Sequence, residues 1–212
     1  MVAMQNPTWS WTPTARTLSG CTRTCSRISG RTQKPAGISR AQELDPLSGL
    51  VTAMGGQFLL HAGMTDEAIT RLREAIELDP KSRVAHSFAA SAYIQKGLFE
   101  EAIAEAGAAC ALTPANTQPA ALKAYANARL GKWADARHAL EKLLELSKNR
   151  YVPPFNIALV YMGFDEHGEA LTWLERGLEK RDPRMAFLKV EPKWKQLRAN
   201  PRYTRLLCRL NF

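Results

Sequence analysis

Four alanines, Ala68, Ala102, Ala136 and Ala170, recur at one constant interval, on every 34th position. Gly63, Gly97 and Gly131 keep the same interval, and so do Pro80 and Pro114. The text around each alanine is alike: GMTDEAI, GLFEEAI, GKWADAR and EHGEAL. Agreement of independent positions at one period marks a repeat architecture. A single short unit cannot bury its apolar face alone, so copies stack and cover one another.

The physics of the unit can be read from its residues. Each period holds two stretches of about a dozen residues with apolar positions at i, i+3, i+4 and i+7, the pattern of an amphipathic helix. In the second unit these fall at about Val84–Lys96 and Glu100–Leu112. Gly97 follows the first stretch, where a left-handed helix cap favours glycine. Ala102 stands early in the second, where a small side chain lets two helices approach. Asp79-Pro80 and Thr113-Pro114 end the second helix, because a residue before proline avoids the helical region. Pro119 and Pro153-Pro154 fall at helix starts, where proline is tolerated. Gly55-Gly56 lies inside a first helix, where it points to close packing.

The 34-residue period, the glycine and small residue at the turn, the EEAI opening and the ELDP close resemble the tetratricopeptide repeat. The resemblance covers about residues 41–183. It implies an all-α, right-handed solenoid of antiparallel helix pairs, with a C-terminal capping helix and a disordered N-terminal tail. The expected division is a basic tail at 1–40, repeats over 41–184 and a capping segment at 185–212. The repeats comprise a partial unit at 41–48 and full units at 49–82, 83–116, 117–150 and 151–184. The fourth unit departs from the pattern, with Asp165 in place of glycine and Pro183 one residue late. The third has Lys148 where proline is expected. The large aromatic common early in the first helix is replaced by Thr52, His86, Ala120 and Pro154.

Both ends break the period. AQELDP at 41–46 matches AIELDP at 75–80, one period on, in five of six positions. Residues 41–46 therefore look like the end of a preceding repeat, yet upstream of them the match stops. Residues 1–40 carry six Lys or Arg, no Asp or Glu and twelve Ser or Thr, a composition too poor in apolar residues to fold alone. Four readings are open for this stretch. They are a disordered extension (including a truncation or reading-frame product), a transit peptide, a basic arm for nucleic acid, against which Trp9 and Trp11 lie away from the arginines, and metal binding through Cys21 and Cys25. Composition favours the first. The C-terminal segment offers Trp194, Leu197, Tyr203, Leu206 and Leu207 as apolar contacts and reads as one or two short helices that close the array. It resembles the tails that close repeat regions of bacterial signalling proteins.

The +9 net charge belongs mostly to the tail, since residues 41–212 carry only +3. The body is therefore not a strongly basic nucleic-acid-binding domain. No apolar run approaches the roughly 18 residues that span a bilayer. Four scattered cysteines, with no secretory pattern, fit a cytoplasmic setting better than a disulfide framework. His61, His86, His138 and His167 form no metal-binding motif, and no phosphate-cradling glycine loop is present. His86 and Cys110 sit within apolar helix patterns as core residues. Glu100, Glu101 and Glu105 belong to a solvated face. No catalytic residue, cofactor, metal or small-molecule substrate is expected.

The resemblance further implies that the first helix of each unit lines a concave surface for a peptide or a partner helix. Helical spacing assigns the lining to Ala53, Gln57, Leu60 and His61, then Ser87, Ser91, Ile94 and Gln95. It continues with Ala121, Tyr125 and Arg129, and ends with Phe155, Asn156, Leu159 and Met162. The same residues also suit packing between repeats. Arg129 is the one fixed charge among them, so the Lys/Arg/Asn clamp that chaperone-binding members use for an acidic tail is missing. The expected partner is a protein or peptide of apolar or mixed character, anchored by Tyr125 and Phe155. The expected role is a scaffold or adaptor. The alternative is the C-terminal regulatory or sensing part of a larger bacterial signalling protein, such as a kinase, an adenylate cyclase or a winged-helix transcriptional regulator.

Overall fold

The structure, a computed structural model, describes Asp45 and residues 47–210. The basic tail with Cys21 and Cys25, and residues 41–44 and 46 of the partial unit, lie outside the described residues. Eight helices follow in four pairs: α1 (Gly49–His61) and α2 (Thr65–Leu78), α3 (Arg83–Lys96) and α4 (Phe99–Leu112), α5 (Thr117–Arg129) and α6 (Trp133–Asn149), α7 (Pro154–Gly163) and α8 (His167–Glu179). Two 3₁₀ turns, Pro183–Phe187 and Pro192–Leu197, and a last helix, α9 (Pro201–Arg209), complete the described chain. No strand occurs among the described residues, and the helix pairs stack as a solenoid.

The same local chemistry starts and stops each unit. Ser48, Ser82 and Asn116, again one period apart, cap α1, α3 and α5, their side chains accepting from the backbone N–H of Val51, Ala85 and Gln118. Such a cap satisfies a donor that the helix cannot. α7 starts instead on Pro154, and Asp182 Oδ2, from far along the chain, accepts from Phe155 N at 3.1 Å.

Between the helices of each pair the chain turns through a left-handed residue: Gly63, Gly97 and Gly131 at φ 83°, 82° and 77°. Two backbone bonds close each turn, as Gly97 N to Ile94 O and Leu98 N to Tyr93 O do in the second unit. Asp165 makes the fourth turn with φ 59° and the same two bonds, to Met162 O and Tyr161 O. An aspartate is one of the few residues besides glycine to visit this region. Here both its carboxylate oxygens also accept from Arg129 of the preceding unit at 2.9 Å, so the departure from glycine links two repeats.

Helix ends follow the prolines. α2 and α4 stop at Leu78 and Leu112, and Asp79 and Thr113 leave the helical region at φ −141° and −146°. Lys148 offers no such stop, and α6 runs on to Asn149, 17 residues against 14 in α2 and α4.

The recurrent alanines occupy one equivalent, fully buried position. Ala68, Ala102, Ala136 and Ala170 are each the fourth residue of their helix, and all are 0% exposed. A Cβ added at Gly56 would come within 2.5 Å of Leu72 Cγ, so the glycine is what lets α1 approach α2. Gly163 brings α7 against the α5 backbone, where a Cβ would stand 3.0 Å from Tyr125 Cα. His86, at an aromatic position of the pattern, is buried: its Nδ1 lies 2.6 Å from Glu105 Oε2 and its Nε2 lies 3.0 Å from Pro80 O.

Nine of the ten residues of α7 are buried. A helix covered only by neighbouring repeats keeps one face in water, so α7 has a further cover, and the C-terminal segment supplies it.

Candidate partner-binding face

The chain leaves α8 through Arg181, at φ 54°, and turns back towards the first helices of the units. Asp182 roots this return: Oδ2 holds Phe155 N, and Oδ1 accepts from Arg184 N at 3.0 Å. Arg184 Nη1 then donates to Asn156 Oδ1 at 3.0 Å, with its guanidinium 5.9 Å from the centre of the Phe155 ring. Trp194 meets the same ring edge-on at 4.9 Å. At the other extreme, the Phe187 ring lies 5.7 Å from His61 of α1. One short segment thus touches the first helix of the fourth unit and the first helix of the first.

Its apolar side chains are deeply held. Leu188, Trp194 and Leu197 are 0% exposed, and Met185 fits where Gly177 leaves room, a Cβ there coming 3.0 Å from the Met185 sulfur. α9 fastens the segment to α8: Arg202 donates to both Glu175 oxygens at 3.0 and 2.7 Å and to Thr172 Oγ1 at 3.1 Å. The Tyr203 hydroxyl donates to Leu188 O at 2.7 Å.

The residues expected to line a partner groove divide accordingly. Leu60, Ser87, Ser91, Phe155 and Asn156 are buried, together with Ala53, Ile94, Ala121, Leu159 and Met162. Asn156 spends its amide on Thr117 Oγ1 of α5, at 2.9 Å, and on Arg184. The expectation that Phe155 and Asn156 stand open to a partner is therefore corrected: the chain's own Arg184 and Trp194 cover them, because an indole and a phenyl ring lose more water-exposed area together than apart. Gln57, His61, Gln95 and Tyr125 are half-buried, and Arg129 is exposed. Gln57 Nε2 and His61 Nε2 stand 2.7 Å apart. Sequence reasoning missed Arg184, Glu191 and Lys193 as part of this face. They lie outside the 34-residue pattern, and the reversal of charge in the last thirty residues was the one signal that could have drawn attention to them.

Charges are buried with the segment. Lys193 Nζ lies 2.6 Å from Glu191 Oε1, their side chains 4% and 11% exposed. Burial pushes the His61 imidazole below its ordinary value, with Glu191 opposing and Lys193 adding to the effect. Burial alone would raise the Glu191 carboxyl, but Lys193, His61 and Arg184 together outweigh it and hold the group below the usual carboxylate range.

The pH dependence follows from the two signs. A histidine with a lowered value in the folded chain takes up its proton more readily when released, so its stabilisation fades as pH falls through about 6.5. A carboxyl with a lowered value loses its contribution as pH falls further, through its folded value. Both shifts weaken the fold towards acid. Thermal melts at about pH 7.5 and about pH 5 are expected to show a lower Tm in acid, and His61→Gln is expected to shrink the difference. An undiminished difference in that variant would exclude His61 as its source.

Other chemistry is sparse. No group of three His, Cys, Asp or Glu side chains among the described residues could hold a metal ion. Burial pushes the Cys110 thiol up, which makes it a poor nucleophile. No described helix is long and apolar enough to cross a membrane.

Comparisons with known proteins agree with the helical-repeat fold. A family model described as Tetratricopeptide repeat matches residues 59–125. The crystal structure of MamA is similar with a TM-score of 0.52 at 21% identity, over 77% of this chain and 94% of that one. Within the crystal structure of the APC/C hetero-tetramer Cut9-Hcn1, the likeness has a TM-score of 0.57 at 15% identity, over 90% of this chain and 36% of that one. A tetratricopeptide repeat protein from Parabacteroides merdae matches with a TM-score of 0.50 at 12% identity, over 93% of this chain and 80% of that one. At these identities the likeness concerns the fold. No curated protein matches the sequence.

Proposed function

We propose that the chain, whose residues 59–125 match the tetratricopeptide repeat, is a protein-interaction module that docks a peptide segment of a partner on the face formed by the first helices of its units. One observation carries this reading: that face already holds a peptide segment, the chain's own residues 182–194, by an aromatic contact at Phe155 and a second at His61. A surface that seats one segment has the ring faces and amide groups to seat another.

The side chains still within reach are Gln57, His61, Gln95, Tyr125 and Arg129. Tyr125 is the natural anchor. Its ring is half-buried, burial pushes its hydroxyl up, and tyrosine combines a large contact area with few rotatable bonds. Arg129 stays neutralised by Asp165 until a partner arrives. An exposed pair of this kind holds by less than about 1 kcal/mol, so Arg129 is free to re-pair with a carboxylate of the partner. The reading calls for no cofactor, metal or bond-making step.

Selection from a displayed peptide library on the full chain tests it. The enriched peptides are expected to lose at least about tenfold in affinity, or about 1.4 kcal/mol, on Tyr125→Ala. They are expected to be indifferent to Glu141→Ala on the exposed side of α6. Peptides that bind Tyr125→Ala as well as the natural chain would place the docking surface elsewhere.

A further inference from the structure

We infer that residues 38–44, which lie outside the described residues, dock on the open side of α1 as the last two turns of a preceding second helix and so close the first end of the array. This cover is separate from the partner-binding face described above.

The surface can be read by counting periods. α3, α5 and α7 each pack against both helices of the unit before, whereas α1 has no described pair ahead of it. One stripe of α1 shows the difference. Its Phe58 stands at the position of Ala92, Ala126 and Val160, all 0% exposed, yet Phe58 is only half-buried. Met54 stands at the position of Leu122 and Asn156, 2% and 1% exposed, yet it is 39% exposed. Leu50, one turn earlier, is 55% exposed, where Val152 of the fourth unit is 3% exposed. A side of α1 that is apolar where its later copies are sheltered calls for the cover that a neighbouring unit gives.

The way the chain enters α1 names the occupant. Ser48 N donates to Asp45 O at 3.3 Å, as Ser82 N does to Asp79 O at 3.0 Å and Asn116 N to Thr113 O at 3.1 Å. In the two later cases this turn follows directly on a second helix, α2 or α4. The residues ahead of the turn keep the same period. Leu44, Leu78, Leu112 and Leu146 are one interval apart, and so are Ala41, Ala75 and Ala109. Ile38 stands where Leu72 does, and Leu72, Ala75 and Ala109 are all 0% exposed. Ser39, Arg40 and Glu43 fall instead where Arg73, Glu74 and Glu77 are exposed. Apolar and polar positions thus alternate as they do in the described second helices. Upstream, Pro35 and Gly37 interrupt the likeness, since a proline inside a helix removes a backbone bond. Seven helical residues rise about 10 Å, more than the ~6 Å that separates Leu50 from Met54 along α1. The tether 45–48 holds the segment beside α1 at an effective concentration that a partner in solution seldom reaches.

The experiment oxidises the full chain with hydrogen peroxide and follows Met54 by peptide mass mapping, with Met64 as the internal reference. A covered thioether reacts slowly, and uncovering it speeds the reaction. Relative to Met64, Met54 is expected to oxidise about tenfold faster in Ala41→Glu and in Ile38→Asp than in the natural chain. Glu43→Lys, on the polar side of the segment, is expected to leave the rate unchanged. Equal Met54 rates in the natural chain and in both apolar-side variants overturn the inference. A rise that Met64 shares marks loss of the fold rather than of a cover and counts against it too. Protection of Met54 that grows with protein concentration assigns the cover to a second copy and also overturns it.

Discussion

Trp194→Ala is expected to destabilise the protein by about 3–5 kcal/mol, the range for truncating a fully buried tryptophan. For a chain of this length that corresponds to a fall in Tm on the order of 10 °C. The indole is 0% exposed, meets Phe155 edge-on, and belongs to the segment that links the first helices of the first and fourth units. Its loss therefore empties a cavity and frees a cover at once. The increase in amide hydrogen exchange is expected at two sites far apart in sequence, the end of α1 near His61 and the start of α7 near Phe155. Trp194→Phe makes a useful comparison. The indole Nε1 is buried without a hydrogen-bond partner, an omission that costs about 1–3 kcal/mol. Phenylalanine removes that unsatisfied donor while keeping a ring against Phe155, so its loss is expected to be well under that of alanine. Equal Tm values for the natural chain and Trp194→Ala would show that the segment does not brace the repeats.

Ala102→Leu is expected to cost roughly 1–3 kcal/mol through overpacking. Ala102 is the fourth residue of α4, wholly buried, and stands at the same helix position as Ala68, Ala136 and Ala170. Three extra carbons there must push the pair apart or force neighbours out of their rotamers. Ala104→Leu, two residues on at an exposed position of the same helix, supplies the control and is expected to stay within about 0.5 kcal/mol. Denaturant midpoints for the two variants measure the contrast directly. Similar midpoints would mean that the alanine period marks something other than a helix crossing.

These two residues differ in how far the sequence foretold them. Ala102 was legible because its neighbours are local: a helix, a short turn and a second helix repeat the same apolar spacing in every unit. The N-caps Ser48, Ser82 and Asn116 keep that period too, and they could have been read from it. Asp165 was legible as a departure from glycine but not as a contact, since its partner Arg129 lies 36 residues away, on the preceding unit. Trp194 was legible as a residue that must be buried, with nothing in the text to say against what.

The amino-acid order alone thus determined the helices, their ends, their turns and the stacking of the units, all of which depend on interactions within about one repeat length. Only the tertiary structure decided which surface the C-terminal segment covers, and hence which residues of the first helices remain open. His61 and Phe187 meet although they stand at opposite ends of the repeat array in sequence. Apolar spacing states that a side chain avoids water, but the choice among the surfaces that could shelter it is made by shape, by opposed charge and by the room that a residue such as Gly177 leaves.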